Sequence, residues 1–408
     1  IAGMSWILWA IFGAIPFTIT GCIPFYLDAV FETISGFTTT GSTILNDIEV
    51  LPNCMNFWRC LTHWVGGMGV LVFVMMVTSL GEKNSMHLMR AEMPGPEASK
   101  LVPKAKSTAR ILYIMYLVLT VVEVIFLLFG GMNLFDAIIH SFSTAGTGGF
   151  SNRNSSIAFY DSAYIDGVIT VFMILFGINF NMYYLLLLKK VKDVFKNEET
   201  RAYLGIILGS TLLITLNILS IYEKPLKAFR YAIFQVSAII TTTGFATADT
   251  NLWTPFAIIV LIFVSIVCAC AGSTSGGMKV DRLLIFCKIL MARIRRQQHP
   301  NAVIRIRVDG VVQESDLLNS VVVFIVTYIA LIFFATFTNT LFGQDLMTAF
   351  SSAVACIGNV GPGFGEVGSM GNFANIPAIL KLQNSILMLM GRLEIFGFIQ
   401  LIFLKWWR

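Results

Sequence analysis

The chain is 408 residues long, 56% apolar and only 12% charged, where an ordinary globular domain carries about 25% charged residues. That charge is too thin to coat a soluble surface of this size, so a soluble enzyme is all but excluded. The length instead accommodates several bilayer crossings, each needing ~20 apolar residues.

Eight long apolar stretches follow one another along the chain: residues 3–27, 60–80, 111–131, 167–188, 203–222, 252–278, 317–342 and 376–407. Shorter apolar pieces at 28–38, 135–145, 230–241 and 347–357 follow the first, third, fifth and seventh. These are too short to cross a bilayer and read as re-entrant helices. The segments 81–110, 189–201 and 279–316, with the tail, hold 21 of the 28 lysines and arginines. An even number of spans separates them, so they share one face, which the excess of basic residues makes cytoplasmic. The seven cysteines form no closely spaced framework; only Cys54 and Cys60 are open to pairing outside the membrane. Ile1 is not a natural start residue, and no signal peptide is recognisable.

Span, short helix, glycine-rich turn, span: this unit recurs four times. Anchoring on Gly41, Gly149, Gly244 and Gly361 gives separations of 108, 95 and 117 residues. Other columns agree: Ala29, Ala137, Ala232 and Ala349 lie twelve residues upstream, and Ser35, Ser143, Ala238 and Ala355 six upstream. Thr39, Thr147, Thr242 and Asn359 lie two upstream. The expected architecture is an all-α integral membrane protein of four pseudo-equivalent units, 1–82, 83–192, 193–298 and 299–408. These surround one pseudo-fourfold pore.

The turns contain no carboxylate and no base. They offer carbonyl and hydroxyl oxygens in four copies, with glycine permitting the backbone angles that turn carbonyls inward. Such oxygen rings replace the hydration shell of a monovalent cation, and each short helix aims its negative dipole end at the axis. Glycine-rich packing turns are the plainer alternative for any one of them, but four in register favour a selectivity filter. The run Gly361-Pro362-Gly363-Phe364-Gly365 resembles a nucleotide loop, yet it follows no strand.

Several stretches resemble a known family: Phe37-Thr38-Thr39-Thr40-Gly41, Arg90-Ala91-Glu92-Met93-Pro94-Gly95-Pro96, Gly148-Gly149-Phe150-Ser151, His299-Pro300-Asn301-Ala302-Val303, Asn359-Val360-Gly361-Pro362-Gly363 and Gly391-Arg392-Leu393-Glu394. The chain resembles the Trk/Ktr/HKT superfamily of cation transporters, most closely its bacterial TrkH potassium-uptake subunits, over essentially its whole length. That resemblance implies a filter built from Thr39, Thr40 and Gly41, then Thr147, Gly148 and Gly149, then Thr242, Thr243 and Gly244, then Asn359, Val360 and Gly361. Some plant relatives carry serine at the first filter glycine and prefer sodium, so Gly41 favours potassium. Asn359 and Pro362 make the expected filter asymmetric. The family's usual extra helix pair does not precede the first unit, so a missing segment or an absent domain is expected. The resemblance further implies a homodimer in the bacterial inner membrane, resting on a cytoplasmic nucleotide-binding regulatory ring (TrkA-like) that docks on basic loops such as 293–314.

Two features inside the membrane need a reason. Arg392 is costly within a span; it pairs with Glu394 or a helix-end carbonyl, or it acts as an electrostatic barrier below the filter, which the resemblance supports. Residues Gly272, Ser273, Thr274, Ser275, Gly276 and Gly277 break a span. They serve close helix packing or, as the resemblance implies, form a gate beneath the filter. Glu123 reads as a satisfied packing acid rather than a transport site. Asp28, Glu32 and Asp136 either attract cations or complement helix dipoles. No histidine cluster supports a proton relay. The expected function is therefore a gated potassium pathway, with a sodium-permeable or proton/sodium-coupled carrier of the same fold as the alternative. A membrane-embedded enzyme would need convergent titratable groups, of which the spans supply almost none.

Overall fold

The computed structural model describes residues 2–69 and 105–402. The 82/83 boundary, the Arg90–Pro96 motif, Lys83, Lys100, Lys104 and the tail bases Lys405 and Arg408 lie outside them. The described chain is helical apart from one short hairpin. A first group comprises α1 (Ala2–Ile19), α2 (Tyr26–Phe37) and α3 (Asn53–Gly67). The second has α4 (Ala105–Phe129), α5 (Leu134–Gly146), α6 (Ala163–Phe176), α7 (Phe180–Leu187) and α8 (Val191–Lys196). The third has α9 (Glu198–Ile218), α10 (Pro225–Ile240), α11 (Pro255–Val267) and α12 (Val280–Gln298). After β1 (Arg307–Val308) and β2 (Val311–Val312) come α13 (Ser315–Leu341), α14 (Leu346–Gly358), α15 (Ala378–Arg392) and α16 (Ile395–Ile402).

The four short apolar pieces thus fold as α2, α5, α10 and α14, the last three with clear start signals. Asn133 caps α5 by accepting from the Asp136 amide at 2.8 Å, and Asp345 caps α14 through the Thr348 amide at 3.0 Å. Pro225 opens α10 with its ring already at helical φ.

Among the described residues, three unbroken helices are long and apolar enough to cross a bilayer, within α4, α9 and α13. Their outward faces carry exposed Val118, Val121, Leu208, Leu212, Phe333 and Phe337, the surface a hydrocarbon solvent demands. The stretch 3–27 gives the 18-residue helix α1, and in each stretch that follows a glycine-rich turn the helix stops partway. The first of these, α3, ends before Gly69 at φ 84°. At Gly177 α6 stops, and α7 departs from it at 90°. Cys268 at φ 60° terminates α11, and Glu394 at φ 60° separates α15 from α16. An apolar run fixes the composition of a span, but not the residue at which its hydrogen-bond ladder is interrupted.

Packing runs in a circuit. Within each group the helices before and after the turn pack on the short one. Each post-turn helix also packs on the short helix of the next group: α3 on α5, α6 on α10, α11 on α14 and, closing the circle, α15 on α2. The buried apolar clusters follow suit. One joins Trp6, Phe17 and Phe31 of the first group to Tyr328, Ile357 and Met388 of the last. Another joins Leu127 and Ile169 to Phe234 and Phe245. The third group's Tyr203 and Leu261 share a cluster with Val360 and Phe364.

The hairpin escaped sequence analysis. Arg307 pairs with Val312 and Val308 with Val311, around Asp309 and Gly310, both at positive φ, as a two-residue hairpin turn requires.

Candidate functional site

The four glycine-rich turns adopt one backbone conformation. Thr39, Thr147, Thr242 and Asn359 sit in the left-handed region at φ 54°, 55°, 58° and 54°. Gly41, Gly149, Gly244 and Gly361 follow at φ 84°, 81°, 75° and 97°. A left-handed β-branched threonine is strained, on the order of 1–3 kcal/mol, so something must hold it. That something is a Schellman closure of the preceding helix. The amides of Thr40, Gly148 and Thr243 each donate at 2.8 Å to the carbonyls of Ser35, Ser143 and Ala238, and Val360 donates to Ala355 at 2.9 Å. The acceptors are the small-residue column read from the sequence six positions before each glycine, which now has a structural reason.

The turns meet in a closed ring. A Cβ on Gly41 would overlap the Gly148 carbonyl oxygen, one on Gly149 that of Thr243, and one on Gly244 that of Val360. A Cβ on Gly361 would lie 2.5 Å from the Thr40 oxygen, which closes the circle. Glycine is therefore required twice over, by φ and by the approach of a neighbouring carbonyl. Ser42 Oγ adds a bond to the Gly361 carbonyl at 3.0 Å. All four glycines line one small cavity of about 80 Å³. The four turns that carry the twelve residues of the expected filter are thus brought together, with a glycine of each lining the cavity.

Polar side chains behind the ring prop it. Nine positions before the glycines stand Glu32, His140, Gln235 and Ser352. Glu32 accepts from Thr43 Oγ1 at 2.9 Å, the Ile44 amide at 3.0 Å and Arg59 Nε at 2.9 Å. His140 Nε2 bonds Ser151 Oγ at 2.9 Å, and Gln235 reaches the Ala248 carbonyl at 3.4 Å. In the last group the neighbouring Ser351 takes the role, accepting from the Phe364 amide at 2.8 Å. Arg59 also donates to the Ser151 carbonyl at 3.2 Å and lies over the Phe150 ring at 4.1 Å, tying the first turn to the second. Glu32 is 1% exposed, so this acid does not face passing cations; it is a brace. Asp136 is engaged in the same way by Asn152, Arg153 and Tyr160, and Asp28 by Lys381 at 2.9 Å. Sequence reading missed this column because Glu, His, Gln and Ser look unrelated until their shared offset is noticed. On the rim, the Asn154 amide at 2.8 Å holds the exposed Asp47 carboxyl below the usual carboxylate range.

Residues 268–279 form an irregular passage between α11 and α12 directly against the ring. Four positive-φ residues shape it: Cys268, Gly272, Gly277 and Lys279. Its carbonyls and amides reach the broken second group, with Cys270 donating to Gly177 at 3.2 Å and Phe180 donating to Gly272 at 3.0 Å. Ser273 and Ser275 hydroxyls meet at 2.8 Å. The Gly276 amide donates to Thr242 Oγ1 at 3.2 Å, and a Cβ on Gly276 would overlap the Asn359 side chain. Arg392 completes this layer. Its guanidinium donates to the carbonyls of Gly66, Gly67 and Thr274 at 2.6, 2.7 and 2.6 Å. The expected helix-end carbonyl partners are therefore present, while Glu394 takes a bond from Arg282 at 2.5 Å. Cys54 is exposed, Cys60 is buried, and both are free thiols.

Comparison with known proteins agrees with this architecture. A family model described as TrkH, cation transport protein, matches residues 1–405. The Trk system potassium uptake protein TrkH of Halomonas elongata is 36% identical, with the alignment covering 100% of this chain and 85% of that protein. The Trk system potassium uptake protein TrkG of Escherichia coli is 34% identical over 99% of this chain and 84% of its own length. The crystal structure of the potassium transporter TrkH from Vibrio parahaemolyticus superposes with a TM-score of 0.88 at 32% identity, covering 100% of this chain and 85% of that one. The chain belongs to the TrkH family of cation transport proteins.

Proposed function

We propose that the chain is the potassium-conducting, multi-pass subunit of a Trk-type uptake system in the bacterial inner membrane. The observation that carries this reading is the closed ring of uncharged oxygens, in which four turns of one backbone conformation each press a glycine against the next turn's carbonyl. Potassium is the substrate such a ring suits, because neutral oxygens replace its water without binding it too tightly to leave. On this reading the units 1–82, 83–192, 193–298 and 299–408 surround one pore with eight crossings, and α2, α5, α10 and α14 are re-entrant pore helices. Their C-terminal dipole ends add negative potential at the ring.

The passage 272–277 acts as the gate, with Arg392 as a positive barrier beneath the ring. Both lie in hydrogen-bonding reach of the lowest ring residues, Thr39 and Thr242. The assembly is a homodimer with one pore per subunit. Its basic cytoplasmic loops dock a nucleotide-binding, TrkA-like ring that moves the gate.

Flux in proteoliposomes tests the reading. Potassium entry that follows its own electrochemical gradient, exceeds sodium entry and ignores an imposed pH gradient is expected. Equal sodium entry would make the protein a general cation pathway, and uptake driven by pH or by sodium would make it a coupled carrier.

A further inference from the structure

Two cavities lie away from the ring, on either side of α12. The first, about 590 Å³, has apolar walls from Ala202 and Ile206 of α9 and Leu284 and Met291 of α12. The second, about 760 Å³, is walled by Leu290 and by Val322 and Val323 of α13. Ile304, Arg305 and Ile306 separate the two.

Two of the three wall-forming helices, α9 and α13, are long and apolar enough to cross a membrane, and the walls lie at their ends on the basic face. Ala202 and Ile206 stand four and eight residues into α9, about 6 and 12 Å from its start. α12 itself changes character along its length. Val280 and Ile285 are buried, Leu290, Met291 and Ile294 are exposed, and Arg293, Arg295 and Arg296 close the helix. An element that is apolar outside and then basic is one that leaves hydrocarbon for the headgroup layer.

The charge around the cavities has one sign. Arg295, Arg305 and Arg307 line the first, Arg293, Arg296 and Arg305 the second, and no acidic side chain lines either. Lys288 is already paired with Glu198. Among the described residues, none of these five arginines takes part in a salt bridge.

We propose that these cavities hold an anionic phospholipid of the cytoplasmic leaflet. Its phosphate lies among Arg295, Arg305 and Arg307, and its acyl chains lie along the apolar walls. Guanidinium groups pair with phosphate oxygens in a fixed fork, and basic pockets between membrane helices on this face are suited to lipid headgroups. A free phosphate would use the arginines and ignore the apolar walls. A zwitterionic lipid would use the walls and gain little from the arginines.

Native mass spectrometry of the delipidated full chain, titrated with dioleoyl phosphatidylglycerol or dioleoyl phosphatidylcholine, tests the assignment. The expected result is preferential retention of phosphatidylglycerol, weakened on the order of 100-fold in R295Q/R305Q/R307Q, at about fivefold per arginine. Cys287→Trp, which fills the first cavity from an exposed position and leaves every arginine in place, is expected to lose the lipid as well. Equal retention of both lipids, an unchanged triple variant, or displacement of the lipid by millimolar inorganic phosphate would each overturn the proposal. So would lipid that leaves as a second copy of the chain or the cytoplasmic ring binds, because these grooves would then be a protein interface. The readout is bound lipid, so it stands or falls independently of ion flux.

Discussion

One nitrogen of Arg392, Nη1, reaches the hydroxyl of Thr39 at 3.3 Å and the carbonyl of Thr274 at 2.6 Å. A single guanidinium therefore touches both the lowest residue of the oxygen ring and the irregular passage beneath it. Asn359 does the like from the last turn, donating to Thr40 Oγ1 and to the Met388 carbonyl, each at 2.9 Å. The ring and the layer below it are thus one hydrogen-bonded body.

Replacing Arg392 with alanine removes both the positive charge under the ring and the clamp on Thr274. Ion flux in proteoliposomes is expected to rise. Three buried carbonyls lose their donor at about 1–3 kcal/mol each, so the thermal unfolding midpoint falls as well. Arg392→Lys keeps the charge but not the fork, and is expected to lower stability while leaving flux low. Unchanged flux in the alanine variant would remove Arg392 from the barrier role.

Deleting residues 272–277 takes away the passage that lies against Thr242 and Asn359. The expected outcome is potassium flux that no longer responds to gating, measured as tracer uptake with and without the cytoplasmic ring. Gly276→Val presses a side chain against Asn359 and is expected to lower flux instead. A deletion variant with unaltered flux would leave close helix packing as the role of this segment.

Gly41→Ser forces a side chain onto a residue at φ 84° and against the Gly148 carbonyl. The carbonyl must retreat, so the ring loses its shape on one side. Potassium-over-sodium selectivity, read from competitive rubidium uptake, is expected to drop at least severalfold while the protein still folds.

Glu32→Gln leaves the Arg59 guanidinium buried without its counter-charge, the two being 2.9 Å apart with both side chains fully covered. Removing one partner of such a pair costs about 3–5 kcal/mol. A lower melting temperature is expected, with partial recovery in E32Q/R59M, where neither charge remains. Recovery that fails to appear would mean that Arg59 acts chiefly through Phe150 and Ser151.

Much of this architecture is legible in the residues, for reasons that differ by element. The four glycines announce themselves because no other residue tolerates both the backbone angle and the neighbouring carbonyl. The short helices are readable because each is apolar, bounded and too brief to span. Two things were not readable. Cys268 and Glu394 end helices inside apolar runs without proline or glycine to mark the place, since it is the tertiary partners of the freed backbone that permit the break. The bracing set of Glu32, His140 and Gln235, with Ser351 one residue out of register in the last unit, shares a task but no side-chain chemistry. Arg392 was readable as anomalous, yet its four acceptors come from three distant segments that only folding assembles.

The helix circuit that ends with α15 packed on α2 has a consequence for the order in which the molecule is made. Contacts such as Thr39 to Arg392 and Thr40 to Asn359 join residues 353 and 319 positions apart. The oxygen ring therefore has no complete perimeter until the final segment has left the ribosome and inserted. A chain arrested partway through synthesis lacks the turn at Asn359–Gly361 and the Arg392 guanidinium, so the first turn is left without the partners that close the circle.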